Sequence, residues 1–172
     1  SGELGAEGIA DTVAALGRYA DEARQLGALR FACVATSAAR AARNGAQFLD
    51  AVRSRCGLEV EVIEGEEEAR LVYLSARRDF GPGPLAVLDI GGGSTEVCFG
   101  DGEAPKTRRS IQIGAVRLTE RHTPADPPTR SELKRMTTEA REALCALQGM
   151  EAVGADSSAK LIGVAGTVTT LS

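Results

Sequence analysis

Between Gly8 and Leu26 the apolar positions Ile9, Val13, Leu16, Ala20, Ala23 and Leu26 return every three or four residues, with charges between them. That spacing predicts an amphipathic helix, ended by Gly27. Leu29 to Ala35 then reads as a strand. Asn44 is placed to cap a helix that runs through Phe48, Leu49 and Val52 to Cys56 and stops at Gly57. Leu58, Val60 and Val62 alternate with polar residues into a second strand ending on Ile63. Helix and strand in alternation favour a layered α/β fold.

Gly65 breaks the second strand and opens a helix whose first turn carries Glu66, Glu67 and Glu68. Gly81-Pro82-Gly83-Pro84 is the clearest punctuation in the chain and divides it into residues 1–81 and 82–172. Beyond it an apolar run carrying Asp89 meets Gly91, Gly92, Gly93 and Ser94. Thr95, Val97 and Phe99 then alternate with Glu96 and Cys98 at the period of a strand. The stretch is strand, glycine turn, strand. A P-loop or dinucleotide fingerprint would instead open onto a helix. A turn at Asp101-Gly102, a strand from Ser110 to Ile113 and a helix from Gly114 follow. Thr129 and Glu132 make a capping box for a further helix with Leu133, Met136, Ala140, Ala143, Leu144 and Leu147 as its buried stripe. A last buried strand starts at Lys160 and runs into Gly166-Thr167, with a helix expected after Gly166.

Composition narrows the chemistry. The 172 residues carry a net charge of -4, which gives no electrostatic footprint for nucleic acid. No apolar run reaches the ~20 residues of a membrane span. Neither nucleic acid nor membrane is an expected partner, and a cytoplasmic location is the default. Cys33, Cys56, Cys98 and Cys145 stand apart, without the spacing of a zinc site, and His122 is the only histidine. The cysteines read as small buried apolar residues.

Three consecutive glycines tolerate unusual backbone angles and have no Cβ, so they let main-chain N–H groups approach an anion such as phosphate. Asp89, at the end of the preceding strand, would then hold a divalent cation. The plain alternative is a tight hairpin with a structural aspartate. Arg40, after the small and hydroxyl residues Thr36-Ser37-Ala38-Ala39, offers a planar fork suited to phosphate, or is a solvated residue early in a helix. Glu66 and Glu67 fit the ordinary preference of carboxylates for a helix N-terminus. Gly166-Thr167 is either a second anion loop or a common strand-to-helix joint.

Asp89-Ile90-Gly91-Gly92-Gly93-Ser94-Thr95-Glu96 resembles the phosphate-binding signature of the Ppx/GppA family of exopolyphosphatases and guanosine pentaphosphate phosphatases. Ala35-Thr36-Ser37-Ala38-Ala39-Arg40, Glu67-Glu68-Ala69-Arg70, the stretch from Ser110 to Arg117 and Val164-Ala165-Gly166-Thr167 resemble its other signatures, in the same order. The resemblance implies an α/β fold of the actin-like, ribonuclease H-like ATPase superfamily, with a partial first lobe (1–81) and a second lobe (82–172). It implies hydrolysis of terminal phosphate from inorganic polyphosphate, with Glu68 as catalytic base. Arg40, Gly91, Gly92, Gly93, Ser94, Thr95, Gly166 and Thr167 would bind phosphate, and Asp89 with Glu96 would hold Mg²⁺. Hydrolysis of pppGpp, a non-catalytic regulator binding such ligands and a sugar kinase of the same superfamily are the alternatives. Family members begin with a further strand and an Asp-x-Gly-Ser-Asn turn and continue past residue 172. The chain is therefore expected to be an internal fragment whose first lobe lacks its N-terminal strands, with an exposed sheet edge covered by another chain, as in a homodimer.

Overall fold

The computed structural model describes residues 2–122, 126–147 and 159–171. Its contacts divide the chain into two compact units, one up to Glu64 and one from Gly65 onward.

In the first unit α1 (Ala6–Gln25) is followed by β1 (Cys33–Ala35), α2 (Ser37–Ala41), α3 (Gly45–Cys56) and β2 (Val60–Val62). β1 and β2 pair in parallel, with Cys33 opposite Val60 and Ala35 opposite Val62. Val13, Ala20, Phe48, Val52, Cys56 and Leu58 form the core between α1 and α3. Fully burying each larger apolar side chain is worth about 1.5–3 kcal/mol. Gly57 ends α3 in the left-handed conformation, with φ 64°.

Three expectations change here. The strand expected from Leu29 shrinks to the three residues that β2 can pair, and Leu29 is 96% exposed. Leu26 lies beyond the buried face of α1 and is also exposed. Asn44 makes no side-chain cap; its carboxamide instead brackets Leu4, accepting from Leu4 N and donating to Leu4 O, both at 2.8 Å.

The second unit begins with α4 (Gly65–Phe80). β3 (Leu85–Ile90), β4 (Thr95–Gly100) and β5 (Thr107–Ile111) follow, then α5 (Ala115–His122), α6 (Arg130–Cys145), β6 (Lys160–Val164) and α7 (Ala165–Leu171). The sheet order is β5-β4-β3-β6, with β6 parallel to β3 and the other pairs antiparallel. Ala69, Tyr73 and Ala76 of α4 pack on Leu85, Val87 and Cys98 of one sheet face. α7 lies on the opposite face, where a Cβ on Gly163 would come within 2.6 Å of Val168.

The unit boundary thus falls at Glu64/Gly65, whereas residues 81/82 lie inside the second unit. Arg77 explains why. Its buried guanidinium donates to the carbonyls of Gly81 (2.6 Å), Gly83 (2.7 Å) and Gly100 (3.2 Å) and to the hydroxyl of Tyr73 (2.5 Å). Tyr73 in turn donates to Gly102 O at 2.8 Å. This network ties the end of α4 and the glycine-proline turn to the far end of β4.

Other differences are local. β5 starts at Thr107 because its register with β4 runs from Thr107 opposite Phe99 to Ile111 opposite Thr95. α6 has its capping box, with Glu132 and Thr129 bonded reciprocally. Its apolar stripe, however, is not buried, and Leu133 and Leu144 are both exposed. Leu161 is exposed because β6 is an edge strand, and Cys145 is exposed where burial was expected. α7 begins at Ala165, one residue before Gly166, and Ala165 has φ 70°.

Candidate functional site

β3 and β4 are joined through the glycine turn, and their register sets Asp89 directly opposite Glu96. Cross-strand partners share a sheet face. Asp89 and Glu96 therefore lie on the face that carries Val87 and Cys98, the one α4 covers. Glu96 is only 2% exposed and accepts from Ser110 Oγ at 2.6 Å. Burial pushes the Asp89 carboxyl above its ordinary value.

The turn itself is held from one side. Gly91 O accepts from Ala115 N (3.0 Å) and Gly92 O from Arg117 N (2.9 Å), while Gly93 O accepts from Arg117 Nε at 2.6 Å. In a planar trans peptide the C=O and the next N–H point in opposite directions. Three carbonyls aimed at the start of α5 therefore turn the amides of Gly92, Gly93 and Ser94 the other way. Among the described residues no acceptor takes these amides. Consecutive outward N–H groups form an anion-binding concavity. Gly114 permits this closeness, since a Cβ there would come within 2.5 Å of the Gly92 carbonyl carbon and oxygen. Thr95 has a structural duty as well, its hydroxyl donating to Ile113 O at 2.8 Å.

α4 presents three carboxylates at its start, and their surroundings differ. Glu67 is bonded to Arg70 at 2.7 and 2.8 Å, and that hydrogen bond lowers its pKa. Glu66 lies 3.7 Å from both Arg108 and Arg109. These two have ordinary surface partners. Glu68 instead has a carboxylate oxygen withdrawn from solvent. Its neighbour Ala69 is fixed to β4, because Cys98 Sγ donates to Ala69 O at 2.8 Å. Burial, then the nearby Glu96, pushes the Cys98 thiol up to about 12, so it is an inert donor.

Gly166 and Thr167 open α7, directly after β6, whose Val164 pairs with Asp89. The second unit thus holds Glu68, Asp89, Gly91 to Glu96, Gly166 and Thr167. Arg40 belongs to the first unit, where its guanidinium donates to Ile63 O. No site role was expected at Arg117, Gly114, Cys98 or Arg77. Gly114 and Arg117 do lie in a stretch that carries a family signature, and that was the available signal.

The family model described as the Ppx/GppA phosphatase family matches residues 1–172. The chain belongs to this family. It is 38% identical over 179 residues to Exopolyphosphatase 2 of Mycobacterium tuberculosis, covering 100% of this chain and 55% of that protein. It is 39% identical over 132 residues to Exopolyphosphatase 1 of the same organism, covering 76% of this chain and 38% of that one. The solved PPX-GPPA enzyme of Aquifex aeolicus superposes with a TM-score of 0.74 at 35% identity, over 98% of this chain and 55% of that chain. The chain therefore spans about half the length, or less, of the relatives it matches. The fold class is the α/β one of the solved Ppx/GppA proteins. No described helix is long and apolar enough to cross a membrane.

Proposed function

We propose that the protein carrying this sequence hydrolyses the terminal phosphoanhydride bond of inorganic polyphosphate. The observation that carries the reading is the set of outward amides at Gly92, Gly93 and Ser94 beside the opposed carboxylates Asp89 and Glu96. The amides would bind the oxygens of the terminal phosphate. Gly166 and Thr167, at the end of the strand next to β3, are proposed to bind phosphate too, and Arg40 to neutralise its charge.

Two hard oxygen donors side by side suit Mg²⁺, which takes one or two carboxylates and keeps waters and substrate phosphates as its other ligands. Among the described residues no group of three or more His, Cys, Asp or Glu could hold a metal ion. Asp89 and Glu96 would hold the ion, and when bound it would offset the charge of the phosphate oxygens. Glu68 would take a proton from the attacking water. The new P–O bond forms as the bridging P–O bond breaks, and the shortened chain leaves with the bridging oxygen. Positioning and charge stabilisation supply the rate, as in other phosphoryl transfers.

Phosphate release measured in parallel from polyphosphate and from pppGpp tests this. The expected result is release from polyphosphate that stops when Mg²⁺ is chelated. Release from pppGpp alone would move the activity to the nucleotide, and tight polyphosphate binding without release would make the protein a sensor.

A further inference from the structure

We propose that Arg117 is a positioning residue which holds the glycine turn in its anion-accepting orientation from behind, without touching the anion. The proposal rests on the phosphate-binding reading above and adds the element on which the turn depends. Glycine is the most permissive residue for backbone rotation, so a Gly-Gly-Gly turn has little preference for any one set of peptide orientations. The turn's own bond, Gly91 N–H to Ser94 O at 3.0 Å, closes its ends, and the orientation of the peptides between them is set from outside. Among the described residues, two of the three captured carbonyls are held only by Arg117, Gly92 O through its main-chain N–H (2.9 Å) and Gly93 O through Nε (2.6 Å). The same guanidinium donates to Gln112 Oε1 at 3.3 Å, which anchors it on the approach to α5.

The consequence is electrostatic as well as steric. A cation bonded to the Gly93 carbonyl polarises that peptide and makes the Ser94 N–H on its far side a stronger donor. The start of α5 meanwhile spends the N–H groups of Ala115 and Arg117 on Gly91 O and Gly92 O, so it serves as a backing for the turn. Val116, 3.2 Å from where a Gly92 Cβ would stand, closes the same side sterically.

Side-chain length supplies a discriminating test. In glutamine, Nε2 occupies the same position along the chain as Nε of arginine, so Arg117→Gln can still donate to Gly93 O without a charge. Arg117→Met fills that space with no donor. Pyrophosphate is the probe, and binding is read from the amide NMR shifts of Gly92, Gly93 and Ser94 and by calorimetry. Melting curves establish that each variant is folded. A hydrogen bond from a charged donor is strong enough that Arg117→Met should weaken pyrophosphate binding about tenfold or more. In the ligand-free protein the three amide resonances should move with it. Arg117→Gln should recover most of both effects. Equal losses of affinity in the two variants with the three ligand-free amide resonances unmoved would mean that the charge acts directly on the anion, and wild-type affinity in both would remove any role; either outcome overturns the proposal while leaving the phosphate reading intact. Absence of pyrophosphate binding by the wild-type protein would instead sink the phosphate reading itself.

Discussion

The thiol of Cys98 donates to the main-chain oxygen of Ala69 at 2.8 Å, with both residues buried. It joins the residue after Glu68 on α4 to the residue two places beyond Glu96 on β4. The helix bearing the proposed base is thus tied near its start to the strand bearing a proposed metal ligand by the Cys98 thiol, as the Arg77 network ties its other end to the end of that strand.

The first prediction concerns that contact. Cys98→Ser keeps a donor and should remain close to wild type in stability. Cys98→Val should cost about 1–3 kcal/mol, since it forces extra volume into a packed core and leaves Ala69 O without its partner. Chemical denaturation measures both. Alkylation followed by mass spectrometry is a second check: the exposed Cys145 should react in the native protein, and Cys98 only after unfolding.

Asp89 is expected to lower the stability of the ligand-free protein. Its folded pKa is raised by burial above an ordinary value of 3.8, so its contribution to stability is greatest in acid and is lost as pH rises through the folded pKa. Asp89→Asn should therefore raise the melting temperature at neutral pH, and the gain should shrink below the unfolded carboxylate pKa. Phosphate release should fall in the same variant. A melting temperature lowered at pH 7 would contradict the sign.

Glu139 behaves in the opposite way. It pairs with His122 and Arg121 at the end of α5, and the hydrogen bond to His122 is the largest cause of its lowered pKa. Its stabilising effect is present above the unfolded carboxylate pKa and fades as pH falls through the lowered folded value. Glu139→Gln should be less stable than wild type at pH 7, with the two curves converging in acid. Melting curves between pH 3 and 7 read this directly.

Gly114→Ala asks whether the close approach of the α5 start to the glycine turn matters. The new methyl would meet the Gly92 and Gly91 carbonyl groups at 2.5–2.7 Å, so either the turn or α5 must shift. Overpacking of this kind costs about 1–3 kcal/mol. Pyrophosphate affinity should drop by more than it does for an alanine at Gly102, where a Cβ meets open space.

Local periodicity was enough to place the first helices, because Val13, Ala20 and Val52 carry the buried faces that the spacing implied, and the apolar run before the glycines placed the hairpin strand with its buried Val87. Extents were less legible. Leu29 and Leu161 are apolar enough for strand interiors, yet pairing decides how far β1 extends and an edge position leaves Leu161 exposed. Arg77 hid the unit boundary, since a buried guanidinium turns a glycine-proline segment from a linker into a clamped turn. At the candidate site, the residues proposed to meet phosphate were chosen from motif and chemistry. The groups behind them, Gly114 and Arg117, act through main-chain carbonyls, and a carbonyl has the same letter whatever its residue.

The central claim is that Glu68 takes the proton of the attacking water while the glycine turn binds the phosphate. Single-turnover phosphate release from polyphosphate by Glu68→Gln, with pyrophosphate affinity measured on the same sample, tests it most directly. The prediction is a fall of about 10²–10⁴-fold in the rate of release with affinity within a few-fold of wild type, as expected for loss of a general base. Release at the wild-type rate would contradict it.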